Sequence, residues 1–226
     1  GVLATRSLEA YVGILGACMA GATYVPLNLK WPAERLITLF KLLELDALIV
    51  DRNGAALLSE DVMAAAPGLV VMADNAEPSQ WEETEGVIRL GALNAPSLDA
   101  PVQVGPDHHG YIIFTSGTTG LPKGVIISAG SLASYLAETR PWTQFSSQDR
   151  IAEAHDVTFD LSVHNTFLAL EAGASLHVMS SLELMAPARF IRSHEITVWM
   201  SVPTLANMMR KAGALQPDIF PSLRQS

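Results

Sequence analysis

The polarity of the chain changes abruptly within residues 111–124, YIIFTSGTTGLPKG, and no other feature constrains the fold as much. Tyr111, Ile112, Ile113 and Phe114 form an apolar run that reads as a buried strand. From Thr115 to Gly120 every residue has a hydroxyl or no side chain. Leu121, Pro122, Lys123 and Gly124 then lead into a second apolar run, Val125, Ile126 and Ile127. A glycine, serine and threonine loop with one lysine suits a polyanion. Glycine lets backbone N–H groups approach closely, hydroxyls donate to phosphate oxygens, and lysine adds a point charge. The plain alternative is a surface turn, but a solvated turn has no need of a lysine between two buried strands. The Walker pattern needs Gly-Lys before Ser or Thr, whereas here Pro122 precedes Lys123 and Gly124 follows it. The dinucleotide pattern G-x-G-x-x-G does not match the spacing of Gly117, Gly120 and Gly124.

Over its whole length this stretch resembles the signature loop of the adenylate-forming enzymes. These are the adenylation domains of peptide synthetases, acyl-CoA and aryl-CoA ligases, and luciferases. The resemblance implies that Thr115, Ser116, Gly117, Thr118, Thr119, Gly120 and Lys123 hold the phosphates of ATP, with Mg2+, during attack by a carboxylate. Upstream, MAGATYVPLNLKWPAERL, residues 19–36, resembles a second family segment that packs helix against sheet. Glu34 and Arg35 are therefore expected at the surface or in ion pairs rather than in a site.

A second constellation lies around Asp160. On spacing alone, an aspartate opening a helix reads first as a cap. The sequence Phe159-Asp160-Leu161-Ser162, however, resembles the F-D-x-S motif of the amino-acid-activating members. There the aspartate pairs with the substrate's α-ammonium group, as a desolvated ammonium requires. Ligases of fatty or aryl acids have no ammonium to neutralise, so Asp160 decides the substrate class. By the same resemblance Leu161 and His164 line the side-chain pocket, and helical geometry puts residues 160, 161 and 164 on one side. The resemblance also puts Met200 at another pocket position, His155 at a substrate-proximal position of the same motif and Phe159 among the substrate-binding residues. A satisfied loop histidine for His155, and a partly exposed helix residue for His164, remain the structural alternatives.

Composition narrows the class. Across 226 residues, 49% are hydrophobic, enough for a sizeable core. A net charge of −9 argues against a nucleic-acid partner. The one cysteine, Cys18, excludes an internal disulfide, fits a reducing, cytoplasmic setting, and sits in an apolar helical pattern as a core thiol rather than a nucleophile. The six histidines show no metal spacing. Residues 10–29 carry no charge, the length of a membrane span, but Gly13, Gly16, Gly21, Pro26 and Asn28 interrupt them, and no membrane partner is expected.

Strand and helix patterns alternate along the chain, which predicts an α/β fold with mainly parallel sheets and helices on both faces. Helices are expected from Thr5 or Ser7 to Ala20, from Pro32 through Leu43, over 55–66, from Gly130 or Ser131 to Thr139, and over 160–171, 187–194 and 203–212. Strands are expected at 22–26, 47–51, 69–72, 87–90, 111–114, 125–127, 149–153, 174–179 and 197–201. Residues 75–106 read as a loose surface connection with a solvated acidic cluster. Approximate halves fall at 1–106 and 107–226 of a partial N-terminal domain.

The resemblance covers essentially the whole chain, but the chain covers part of the family pattern. The later adenine-binding and ribose-binding motifs, the hinge and the C-terminal domain with its catalytic lysine are absent, and Lys123 does not replace that lysine. The expectation is an ATP-dependent amino-acid-adenylating ligase that passes its product to a carrier-protein phosphopantetheine thiol, with this piece alone inactive. The alternatives are a carboxylate–CoA ligase and a non-catalytic binding module of the same fold.

Overall fold

The computed structural model describes residues 1–76, 81, 83–94, 96–115 and 123–226. It divides into two compact units, Gly1–Leu132 and Ala133–Ser226.

In the first unit a five-stranded parallel sheet carries the core. Its strands are β1 (Val2–Leu3), β2 (Pro26–Leu27), β3 (Leu48–Val50), β4 (Val70–Met72) and β5 (Val87–Arg89), in the order β2-β1-β3-β4-β5. Helix α1 (Leu8–Met19) starts where Ser7 Oγ accepts the backbone N–H of Ala10 at 3.3 Å. Helix α2 (Ala33–Leu43) buries Leu36, Leu39 and Phe40, residues one helical turn apart, against β1, β3 and β4 side chains in one apolar cluster. Arg35 lays its guanidinium over Trp31, 4.6 Å from the ring centre, while Glu34 is exposed. The helix expected over 55–66 is instead two short ones, α3 (Arg52–Ala55) and α4 (Glu60–Ala64). Two local caps cause the break. Asp51 accepts the N–H of Gly54 at 2.8 Å, and Ser59 accepts that of Val62 at 3.4 Å. Asp51 is buried and also takes the N–H and hydroxyl of Thr5, tying α3 to the segment after β1. Gly54 is required there, because a Cβ would stand 1.8 Å from the carbonyl oxygen of Leu3.

Strands β6 (His109–Thr115) and β7 (Lys123–Ser128) form an antiparallel pair, a departure from the parallel pattern. The pair joins the first unit through a parallel bridge between Tyr24 and Tyr111, whose rings stack 5.5 Å apart. β6 alternates, with Tyr111 and Ile113 buried, but Val125 and Ile126 of β7 are exposed. The second apolar run is thus the outer strand of its pair rather than a buried one.

Helix α5 (Ala129–Thr143) runs longer than expected, beyond Thr139 and through Pro141. In the second unit, β8 (Arg150–Glu153) and β9 (Ser175–Val178) are parallel and connected by α6 (Asp160–Ala172). Gly173 ends α6 in the left-handed conformation, φ 67°. The strand expected over 197–201 is reduced to Val198, which bridges Ile151 on one side and Gln225 on the other. Helices α7 (Pro187–Ser193) and α8 (Pro203–Lys211) both begin with proline. They supply Phe190, Ile191 and Met209 to a core with Ala152, Met179, Ile196 and Trp199. Asp149 anchors the end of the chain: it accepts Arg224 Nε at 2.7 Å and Nη2 at 2.6 Å, and the Thr197 hydroxyl at 2.7 Å. These partners, Arg224 first, hold its carboxyl well below the usual carboxylate range. Among the described residues no helix is long and apolar enough to cross a membrane.

Candidate functional site

The end of β8 and the start of α6 are joined by residues 154–159, and most of the expected substrate-binding residues lie at this junction. The turn is built locally. Asp156 Oδ1 accepts the backbone N–H of Thr158 at 3.0 Å and its hydroxyl at 2.6 Å, and the N–H of Phe159 reaches the Asp156 carbonyl at 2.9 Å. The helix cap is Phe159, which makes no side-chain cap bond, so Asp160 is the first helical residue rather than the cap. Asp160 is exposed and makes no hydrogen bond or ion pair among the described residues. A first helical turn is a favourable place for a carboxylate, and here the carboxylate is not spent on closing the helix end.

His155 is buried rather than a solvated loop histidine. Its backbone N–H donates to Glu153 Oε1 at 2.6 Å and its ring Nδ1 lies 3.0 Å from the same oxygen. The ring stacks on Phe159, with planes 13° apart and centroids at 6.3 Å. Asn165, from the middle of α6, donates to the carbonyl of Ala152 at 3.3 Å and approaches His155 Nδ1 at 3.4 Å. Glu153 and Asn165 are fully buried, yet Glu153 Oε2, His155 Nε2 and Asn165 Oδ1 have no hydrogen-bond partner among the described residues. Unsatisfied buried polar atoms are costly, so such a concentration of them marks a place where stability is not the sole determinant.

One helical turn after Asp160, His164 is also buried rather than partly exposed. Its Nδ1 lies 2.6 Å from the hydroxyl of Tyr135 on α5, and the rings of Trp142 and Phe145 flank it. Burial above all, and then the neighbouring His155, push its pKa down. Leu161 and Met200 are half-buried.

At the polyanion loop, β6 ends at Thr115 and β7 begins at Lys123, and these two residues face each other as register partners. Both are exposed. Ser116, Gly117, Thr118, Thr119 and Gly120 lie outside the described residues. The pairing sets a hydroxyl and a lysine side by side at the loop's base, a donor pair that suits phosphate oxygens.

The expected residues thus fall into two groups. Thr115 and Lys123 belong to the first unit, while His155, Phe159, Asp160, Leu161, His164 and Met200 belong to the second. Glu153, Asn165 and Tyr135, which hold two of these side chains, were not picked out by pattern. An acid closing an apolar strand and a histidine two residues later was the available signal.

The model of the family described as AMP-binding enzyme matches residues 1–226. An L-proline–[L-prolyl-carrier protein] ligase of Streptomyces coelicolor is 35% identical over 223 residues, covering 93% of this chain and 41% of that protein. The crystal structure of IdnL7 matches with a TM-score of 0.86 and 34% identity, over 100% of this chain and 44% of that one. The Vibrio cholerae adenylation domain AlmE, solved with glycyl-adenosine-5'-phosphate, matches with a TM-score of 0.84 and 29% identity, over 99% of this chain and 44% of that one. The chain therefore spans under half the length of these relatives.

Proposed function

The chain belongs to the AMP-binding enzyme family, and from that premise we propose that it forms part of an amino-acid-adenylating ligase. The observation that carries the proposal is Asp160, an exposed carboxylate in the first turn of α6 that neither caps the helix nor pairs with any described residue. A substrate ammonium group supplies the missing partner, and with it the charge balance that desolvation demands. Relatives whose names specify prolyl and glycyl chemistry support the same substrate class.

In this reading the amino-acid carboxylate attacks the α-phosphorus of ATP, forming an aminoacyl-adenylate and releasing pyrophosphate. The phosphopantetheine thiol of a carrier protein then takes the aminoacyl group and AMP departs. Thr115, Lys123 and the loop between them position the phosphates and offset their charge, which is how a site assists phosphoryl chemistry. Mg2+, bound along with ATP, would neutralise further phosphate charge. Asp160 holds the ammonium, Leu161, His164 and Met200 bound the side chain, and His155 and Phe159 shape the junction beside Asp160. The single cysteine is consistent with action in a reducing compartment.

The test is substrate-dependent ATP–pyrophosphate exchange by the full-length enzyme that contains this chain. Amino acids should drive exchange, and fatty and aryl acids should not. Exchange driven by fatty or aryl acids alone would assign the protein to the carboxylate–CoA ligases, and no exchange with any carboxylate would overturn the proposal.

A further inference from the structure

Glu153 is fully buried, and among the described residues both of its side-chain hydrogen bonds go to one residue, the backbone N–H and the ring of His155. A strand end needs no acid for stability. Its neighbours Ile151 and Ala152 are buried at no such cost, and burying a carboxylate is expensive unless each partner is well placed. The two bonds do something an apolar side chain cannot. Oε1 already accepts the backbone N–H, and as an acceptor toward the ring as well it takes a proton held on Nδ1, so the pair of bonds fixes the backbone and the ring of His155 together. Nε2 is then turned away from Glu153.

The fixed ring lies flat against Phe159, the cap residue of α6. Between them the turn is closed by Asp156 and Thr158. Asp160 follows directly, so the backbone of this turn sets the direction in which its side chain leaves the chain. We propose that Glu153 is a positioning residue of the adenylation site, acting through His155 and Phe159 to set the direction of the Asp160 carboxylate. The proposal rests on the reading of Asp160 as the ammonium partner.

Two measurements test it. In this chain, nitrogen-15 NMR of the histidine rings should show His155 protonated at Nδ1 in the wild type, and losing that preference in Glu153→Met, which keeps the volume but removes the acceptor. A wild-type ring protonated at Nε2 alone would overturn the clamp without any variant. In the full-length enzyme, Glu153→Met should raise the amino-acid KM about tenfold to a hundredfold and leave the ATP KM within about twofold. Glu153→Gln keeps an acceptor for both N–H groups and should return the amino-acid KM to within about threefold of wild type. In a His155→Ala background the Glu153→Met change should add less than about twofold, because the two act as one unit. Equal changes in both KM values, a Gln variant no better than Met, or additive effects would make Glu153 merely structural. A full-length enzyme that activates no amino acid would remove the reading of Asp160, whereas amino-acid activation indifferent to Glu153 would remove only the positioning role.

Discussion

Helices α2 and α6 are of similar length, 11 and 13 residues, yet they bury opposite chemistry. The fully buried residues of α2, Leu36, Leu39 and Phe40, are all apolar. α6 buries Ser162, His164, Asn165 and Thr166 alongside Val163, Leu168 and Ala169. The first helix can be read as a stripe facing a sheet, and its stability comes from apolar area removed from water. The second has polar groups on its buried side, each needing a named partner. Tyr135 serves His164, and Asn165 reaches the Ala152 carbonyl. A helix built this way gives up stability to hold side chains in fixed orientations, which is what a binding site needs.

The sharpest way to break this contrast is to remove one partner from the buried pair beside α6. His155→Ala leaves the buried Glu153 carboxyl with only the backbone N–H of residue 155 and should cost about 1–3 kcal/mol in chemical denaturation. A loss well below about 1 kcal/mol would mean that the ring's bond to Glu153 contributes little to stability. On the apolar side, Leu39→Ala should cost about 2–5 kcal/mol by deleting packed carbon and leaving a cavity. It should leave the ring-nitrogen signals of His155 and His164 unchanged, and a shift in those signals would show that the two helices are not separate in their roles.

Acid tests the polar unit differently. The Asp149 carboxyl titrates below its unfolded value, so its stabilisation is fully present above about pH 5 and is lost as pH falls below about 4 toward the folded pKa. Arg224→Met should remove on the order of 1 kcal/mol at neutral pH, since water screens the partly exposed guanidinium, and should flatten the acid limb of the stability curve. An unchanged acid limb would show that Arg224 is not the main cause. The smallest effect belongs to the first unit, where Ser7→Ala removes the cap of α1 and should cost about 1 kcal/mol, read from the denaturation midpoint.

The same contrast explains what could be read from the residues. Apolar period and end signals locate α1 behind Ser7, α2 behind Pro32 and the stop of α6 at Gly173. The error over residues 55–66 arose because Asp51 and Ser59 cap two short helices where one continuous pattern was expected. At 197–201 an apolar strand pattern yields only the bridge at Val198, since the backbone bonds of Thr197, Val198 and Trp199 to Arg150, Ala152 and Gln225 do not continue through Met200 and Ser201 among the described residues. Asp160 and its neighbours were legible because a motif with a chemical meaning contains them. Glu153, Asn165 and Tyr135 were not, because an acid at a strand end or a tyrosine on a helix reads as solvated until the fold places something against it.

The proposed substrate class depends on whether Asp160 meets an ammonium group. The direct measurement is ATP–pyrophosphate exchange by the full-length enzyme with its preferred amino acid and with the matching acid that lacks the amino group, in wild type and in Asp160→Ala. The wild type should activate the amino acid and reject the des-amino acid, and the variant should lose about a hundredfold or more of its activity toward the amino acid. Equal activation of both acids by the wild type, or an Asp160→Ala variant as active as the wild type, would contradict it.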